Sequence, residues 1–336
     1  MMVLVDAMGG DNAPEAIVQG CLSALKMKGD FCITLIGDRR RIEDILIDAE
    51  YDKNRLFIRH ASDIITNHES PTKAIKSKPD SSMAVGFQML KQKEGNVFIS
   101  AGSSGALLVG SVTIIRRIKG VDRPALGSVI PTKRGRMLLL DSGLNTSCRP
   151  NHYLQFGYLG SAYMKAVFGT DRARVGLINV GTEDEKGTED VKDANKLLRA
   201  SSLNYVGSVE GKDLLEGVAD VVVTDGFTGN VVLKLIEGTS KYIFGEIKGM
   251  LYKNVKSKIG ALFLKDGLKT FKRSLDADVN GGAPILGVDG LVIKSHGSSN
   301  ARTIKHVVLK ACALAESSFL EDIKGEFNVL SKNKII

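Results

Sequence analysis

The sequence of 336 residues has no tryptophan, only seven prolines and four cysteines, and just 6% aromatic residues. The cysteines (Cys21, Cys32, Cys148, Cys312) stand far apart and form no CxxC pair, which argues against a disulfide framework and against a thiolate zinc site. No run approaches the ~18 apolar residues that a membrane span needs. The opening segment, MMVLVDAMGG, has no basic residues ahead of its apolar run, and Asp6 interrupts that run, so no secretory leader is expected. Neither G-x-x-x-x-G-K-[ST] nor G-x-G-x-x-G follows a strand-like run, which disfavours a P-loop NTPase or a Rossmann dehydrogenase. There is no G-x-S-x-G elbow for a nucleophilic serine, and no H-x-x-x-H or H-x-E spacing for a metal. A cytoplasmic protein with reduced thiols, no metal and no cofactor is expected. Any membrane contact would be peripheral.

What is present is an ordinary globular composition, 43% hydrophobic and 25% charged, without the signature of disorder. Thirty-six glycines without a G-x-y period suggest many tight turns. Short apolar runs bounded by glycine alternate with helix-like patterns. VLVDAMGGDNAPEAIVQGCLSAL (3–25) is a first strand–loop–helix unit, and others cover 32–49, 96–118, 175–198, 219–238 and 291–311. This grammar predicts a three-layer α/β/α fold with a mostly parallel sheet, as a single catalytic unit over 1–336. Right-handed crossovers then place all the post-strand loops at one sheet edge, where open α/β folds bind ligands.

One segment, 239–275, breaks the rhythm and reads as two helices meeting at a short apolar tip. Ile247, Leu251, Val255 and Ile259 recur every four residues, followed by Leu262, Phe263 and Leu264, then by Leu268, Phe271 and Leu275. Between 246 and 275 eight Lys/Arg residues face two acids, so this stretch carries most of the net charge of +8. One reading is a helical hairpin that forms a dimer and turns a solvated basic face to water. The other adds that its tip, with Lys258, Ile259, Leu262, Phe263, Leu264 and Lys265, touches an acidic surface, either anionic lipid or an acidic carrier protein. The two are compatible, and nucleic acid is not the expected partner.

Three post-strand loops look built for an oxyanion. SAGSSGAL (100–107) offers Ser103, Ser104 and Gly105; TDGFTGNVVLK (224–234) offers Asp225, Gly226, Thr228, Gly229 and Asn230; SHGSSNAR (295–302) offers His296, Gly297, Ser298 and Ser299. In each, glycines let the backbone curl and the next helix presents unpaired N–H groups. The loop after the first strand adds Asp6, Gly9 and Gly10, with Asp6 either bracing loop amides or touching substrate. LLLDSGLN (138–145) adds Asp141 and Asn145. NVGTEDEKGTE (179–189) adds Lys186, whose flanking glycines would let it reach an anion, unless it is simply a solvated loop lysine. His296, at a strand end beside glycine, is suited to proton donation or phosphate contact.

Taken in order, VDAMGGD-x-AP, ISAG-x-x-GAL, RIKG-x-DRPAL, NVGTE-x-x-KG, ADVVVTDGFTGNV and GGAP-x-LG-x-x-G-x-x-IKSHGSS resemble the bacterial phosphate acyltransferase (PlsX) family over nearly the whole chain. The resemblance implies a fold similar to phosphotransacetylases and, more distantly, to the isocitrate dehydrogenase type. It implies reversible transfer of a long-chain acyl group from acyl carrier protein (ACP) to inorganic phosphate, giving acyl phosphate for phospholipid synthesis. It further implies a homodimer associated peripherally with an anionic membrane surface, where a PlsY-type acyltransferase consumes the product. Two blocks depart from the family pattern: D-V-G-A-N reads Asp141-Ser142-Gly143-Leu144-Asn145, and S-A-G-N-T-G reads Ser100-Ala101-Gly102-Ser103-Ser104-Gly105. Phosphate is itself the nucleophile in such a reaction, so the protein needs an anion cradle, orientation and oxyanion donors rather than a nucleophile. Lys186, His296 and Asn230 are the expected catalytic residues. The competing readings are a phosphotransacetylase acting on short acyl-CoA, a decarboxylating dehydrogenase of related fold, and a non-catalytic peripheral membrane scaffold.

Overall fold

A computed structural model describes residues 1–27, 29–254, 256–258, 260–264, 266–267 and 282–332. Its centre is one eleven-stranded sheet in the order β3-β2-β1-β4-β11-β10-β5-β6-β9-β7-β8. The strands of the first half are β1 (Met2–Asp6), β2 (Cys32–Gly37), β3 (Leu56–His60) and β4 (Val97–Ser100). They are joined by helices α1 (Glu15–Met27), α2 (Arg39–Leu46), α3 (Pro71–Ser77) and α4 (Ser82–Lys91), and α5 (Ser104–Gly110) follows β4. A hairpin, β5 (Ala125–Thr132) and β6 (Gly135–Leu140), leads to α6 (Pro150–Phe168). Then come β7 (Arg174–Ile178), α7 (Glu189–Ala200), β8 (Asn204–Val209), β9 (Val221–Val223) and the long α8 (Gly226–Tyr252). The chain closes with β10 (Ala283–Leu286), β11 (Leu291–Lys294), α9 (Ala301–Glu316) and α10 (Phe319–Lys332).

The mostly parallel α/β architecture agrees with the sequence reading, but the sheet edge does not. β3-β2-β1-β4-β11 is parallel throughout, as is β6-β9-β7-β8. Between them the pairings β11–β10, β10–β5 and β5–β6 are antiparallel, so the second block runs opposite to the first. Strands pointing in opposite directions cannot deliver their loops to one edge. Register brings the loops together instead. β5 pairs with β10 through Ala125 and Leu126, and with β6 through Gly127–Thr132. That divided pairing slides the blocks past each other. Ile99 lies opposite Ile293, which lies opposite Pro284, while Gly127, one step from the Ile285–Leu126 pair, lies opposite Leu140 and then Val223. The last or next-to-last residues of β4, β11, β6 and β9 therefore share one row.

Both faces are covered, as alternation along each strand requires. Val3, Val5, Ile99, Leu138, Leu140 and Val223 point to a continuous core beneath α1, α6 and α9. On the opposite face the core is divided. Leu4, Phe98 and Val292 pack under Phe87 and Leu90 of α4, whereas Met137, Leu139 and Val222 pack under Val232, Leu233 and Ile236 of α8. The first part is closely fitted: the Phe87 and Phe98 rings meet edge to face at 5.0 Å, and a Cβ at Gly86 would lie 2.2 Å from Phe98. The gap between these two half-cores lies over the row where the strand ends meet.

Candidate active site

The loops after β1, β4 and β11 form one hydrogen-bonded body. Ser100 Oγ donates to the buried Asp6 Oδ2 at 2.6 Å, the Gly102 N–H donates to Ser100 Oγ at 3.0 Å, and the Met8 N–H donates to Asp6 Oδ1 at 3.1 Å. Burial pushes the Asp6 carboxyl up, against the opposing pull of Ser100, Ser82 and the Met8 and Gly9 amides. Gly10 adopts φ +103°, and a Cβ there would stand 3.0 Å from the Gly297 carbonyl oxygen. The Asp11 N–H donates to that carbonyl at 2.8 Å, and Asn12 Nδ2 donates to the carbonyls of Ser298 and Ser299, each at 3.2 Å. Asp6 is thus a brace, the first of the two roles open to it.

The loops after β6 and β9 are tied together in the same way. Asp141 is fully buried, its Oδ1 accepting from the N–H groups of Leu126 and Gly143, both at 3.0 Å. Its Oδ2 accepts from the N–H and Nδ2 of Asn145, each at 2.7 Å. The Asn145 carbonyl in turn accepts from the Gly226 N–H at 2.6 Å. Asp225 caps α8, accepting from the Thr228 N–H at 2.9 Å and from Thr228 Oγ1 at 2.8 Å. This frame holds Asn230, on the first turns of α8, against Gly143.

Between the two loop bodies opens a cavity of about 530 Å³. The first half contributes Gly102, Ser104, Lys294, His296 and the Gly297–Ser299 turn; the second contributes Ser142, Gly143, Asn230, Lys234 and Glu237. Leu126, Ser128, Leu233 and Ala283 add a partly apolar wall. Ser128 Oγ and Ser142 Oγ are 2.7 Å apart, and Lys234 Nζ lies 2.6 Å from Glu237 Oε2. Burial and the nearby Lys234 hold the half-buried Lys294 ammonium below its usual range. Partial burial, with the charges of Lys234 and Lys294, likewise pulls the His296 imidazole below its ordinary value. The Ser298 N–H donates to His296 Nδ1 at 3.3 Å, with Ser298 Oγ 2.9 Å from the same atom. Nδ1 is therefore an acceptor, and the neutral ring carries its proton on Nε2.

Six residues named from sequence line the cavity: Ser104, Asn230, His296, Gly297, Ser298 and Ser299. Asp6, Gly9, Gly10, Asp141, Asn145, Asp225, Gly226, Thr228 and Gly229 build the frame around it. Ser103 caps α5 by accepting from the Ala106 N–H, and Gly105 is needed where a Cβ would meet Pro71 at 2.6 Å. Lys186 is not brought to the cavity. It stands on an exposed loop whose backbone is tied down locally, its N–H donating to the Glu183 carbonyl and its carbonyl accepting from Asn179 Nδ2. Sequence reasoning missed Lys234 and Lys294. Both had a signal: Lys234 is four residues after Asn230 on one helical face, and Lys294 is two residues before His296 on a strand. Ser128 left no such trace, because no strand–loop–helix unit covers β5.

The basic excursion also differs from its sequence reading. Its first helix is the continuation of α8, which begins at the site itself, and the helical break falls at Lys253–Asn254. Asn254 Oδ1 accepts from the Ser257 N–H at 2.9 Å, capping a new helical stretch. Leu262, Phe263 and Leu264 carry helical backbone, so these apolar side chains project from a helix and not from a turn. They are 70%, 86% and 56% exposed. Ile259, Lys265, Val255 and 268–275 lie outside the described residues. Among the described residues, no helix is long and apolar enough to cross a membrane, and no group of three His, Cys, Asp or Glu side chains could hold a metal ion.

Residues 1–322 match the family model described as fatty acid synthesis protein. The chain is 56% identical to the phosphate acyltransferase of Acetivibrio thermocellus, over 97% of this chain and 96% of that protein. It is 46% identical to the phosphate acyltransferase of Alkaliphilus oremlandii, over 96% of both. The chain belongs to the phosphate acyltransferase (PlsX) family. It is accordingly an acyltransferase of fatty acid and lipid synthesis. Among solved structures, a phosphotransacetylase from Streptococcus pyogenes is similar in fold, with a TM-score of 0.64 at 13% identity over 94% of both chains. The phosphotransacetylase-type fold expected for this phosphate acyltransferase is thus the one observed.

Proposed function

We propose that this protein transfers a long-chain fatty acyl group reversibly from acyl carrier protein to inorganic phosphate, giving acyl phosphate for phospholipid synthesis. The observation that carries this reading is the convergence of Lys234, Lys294, His296 and Asn230 with the hydroxyls of Ser104, Ser128, Ser142 and Ser299 on one cavity that also has an apolar wall. Such a set of cations and neutral donors suits a phosphate dianion, and the wall of Leu126, Leu233 and Ala283 suits the first methylenes of an acyl chain. A phosphate oxygen attacks the thioester carbonyl, the carbon–oxygen bond forms, and the carbon–sulfur bond breaks to release the carrier thiol. Asn230 and the Nε2–H of the neutral His296 supply donors for the developing oxyanion, and the proton carried in by the attacking hydrogen phosphate dianion ends on the departing sulfur, leaving the acyl phosphate as a dianion. In this reading Lys234 and Lys294 take the phosphate-holding role that the sequence assigned to Lys186.

No acyl-enzyme is needed. The cavity lining contains no cysteine, and burial, with the charges of Asp141 and Asp225, pushes the nearby Cys148 thiol up to about 12, which keeps it protonated. The described part of the basic excursion, with exposed Lys248, Lys253, Lys256 and Lys258, is the surface offered to acidic ACP or to anionic lipid, from which a PlsY-type acyltransferase would take the product. The exposed Phe227, Val231 and Leu235 on α8 suit pairing with a second copy of the chain. The test is palmitoyl-ACP incubated with and without inorganic phosphate, following acyl phosphate. Phosphate-dependent product supports the reading. A folded enzyme that forms none, or that prefers acetyl-CoA as donor, overturns it.

A further inference from the structure

Among the described residues that line the cavity, Glu237 is the single carboxylate, and it is already engaged. Its Oε2 lies 2.6 Å from Lys234 Nζ, one helical turn earlier on α8. Lys294, from β11, faces the same space. With His296 neutral, two ammonium groups and one carboxylate leave the empty cavity one positive charge in surplus. A doubly charged phosphate that bridges both lysines sets its own negative charge beside the Glu237 carboxylate, and that repulsion favours turning Glu237 away from Lys234.

We propose that Glu237 is an exchange counterion: it holds Lys234 while the cavity is without anion, yields it to phosphate, and reclaims it as acyl phosphate departs. This rests on the phosphate reading of the cavity. Three features of the pair support it. The Lys234 and Glu237 side chains are 52% and 32% exposed, so the pair is weakly held and the carboxylate can turn to water. Their three-residue spacing keeps Glu237 within reach whenever Lys234 becomes free. The product retains the phosphate dianion, so a cavity with two unopposed lysines would grip product as firmly as substrate and slow its release. Glu237 is a positioning residue in this scheme. It makes no bond to the reacting atoms.

The experiment is a double-mutant cycle on phosphate binding by titration calorimetry, using wild type, Glu237→Gln, Lys234→Met and the double variant, with palmitoyl phosphate inhibition measured in parallel. Glu237→Gln is expected to tighten phosphate about threefold, the scale of an exposed ion pair, and to strengthen product inhibition alike. In the Lys234→Met background the same change should have no effect beyond about twofold, because nothing remains to exchange. An equal tightening with and without Lys234 would overturn the exchange in favour of a general field effect. Unchanged or weaker phosphate binding in Glu237→Gln would overturn it outright. If wild type binds no phosphate, the phosphate reading of the cavity falls, and the exchange falls with it.

Discussion

The carbonyl oxygen of Asp141 occupies the place where a side chain on residue 229 would begin: a Cβ added to Gly229 would stand 1.9 Å from it. The obstacle is backbone, fixed by the buried Asp141 carboxylate and its ring of amide donors, so it cannot swing aside. Gly229→Ala is expected to destabilise the fold by about 1–3 kcal/mol or more, the range for forced overpacking, and to displace Asn230. Thermal unfolding alongside phosphate-dependent activity checks this. A variant with wild-type melting and wild-type turnover would show that the α8 start is not pinned at this contact.

Lys294 and Lys186 make opposed predictions. Removing an ammonium that hydrogen-bonds a phosphate costs about 1.5–3 kcal/mol, which raises the KM for phosphate by about tenfold or more. Lys294→Ala should show this, with a smaller change in the KM for acyl donor. Lys186→Ala should change the phosphate KM less. The reverse order would return Lys186 to the phosphate site and remove Lys294 from it.

His296 should titrate below the ordinary histidine value of about 6.5. A proton added to this ring places a third positive charge beside Lys234 and Lys294 on a partly buried group, so the neutral form is favoured. At pH 7 the ring is neutral, and loss of that form should begin only as pH falls below about 6.5. Ring-proton NMR reads the midpoint directly. Lys294→Met should move it upward, toward the ordinary value, and an unmoved midpoint would contradict the electrostatic coupling.

The exposed apolar side chains of Leu262, Phe263 and Leu264 give a surface prediction. Burying a leucine in the headgroup region is worth about 1.5–3 kcal/mol, so Leu262→Glu should weaken partition onto anionic vesicles by about tenfold or more. Phosphate binding by the cavity should stay close to wild type, since Leu262 is not among the residues that line it. Vesicle flotation with unchanged binding would remove these side chains from any membrane role.

Much of the site was legible because glycine and polar residues after apolar runs have few other uses. His296, Ser298, Ser299 and Asn230 were found that way. The same pattern cannot separate a residue that touches ligand from one that holds the loop still. Asp141 and Asp225 carry the chemistry of binding residues, yet Asp141 accepts from the amides of Leu126, Gly143 and Asn145, and Asp225 from the N–H and hydroxyl of Thr228. Lys186 looked available because its neighbours are flexible in type, whereas Lys294 sat unnoticed inside an apolar strand.

The sequence by itself determined six strand–loop–helix units, those of β1, β2, β4, β7, β9 and β11, together with the basic composition of the excursion, all of which follow from local periodicity and composition. It also carried the family, through long ordered blocks. Only tertiary structure decided that the two parallel blocks run in opposite directions, and that their loops still meet. That outcome depends on β5 dividing its hydrogen bonds between β6, its hairpin neighbour, and β10, which lies more than a hundred residues further along the chain, a pairing that no local pattern encodes. The same pairing brings Lys294 of one block and Lys234 and Glu237 of the other onto the lining of one cavity.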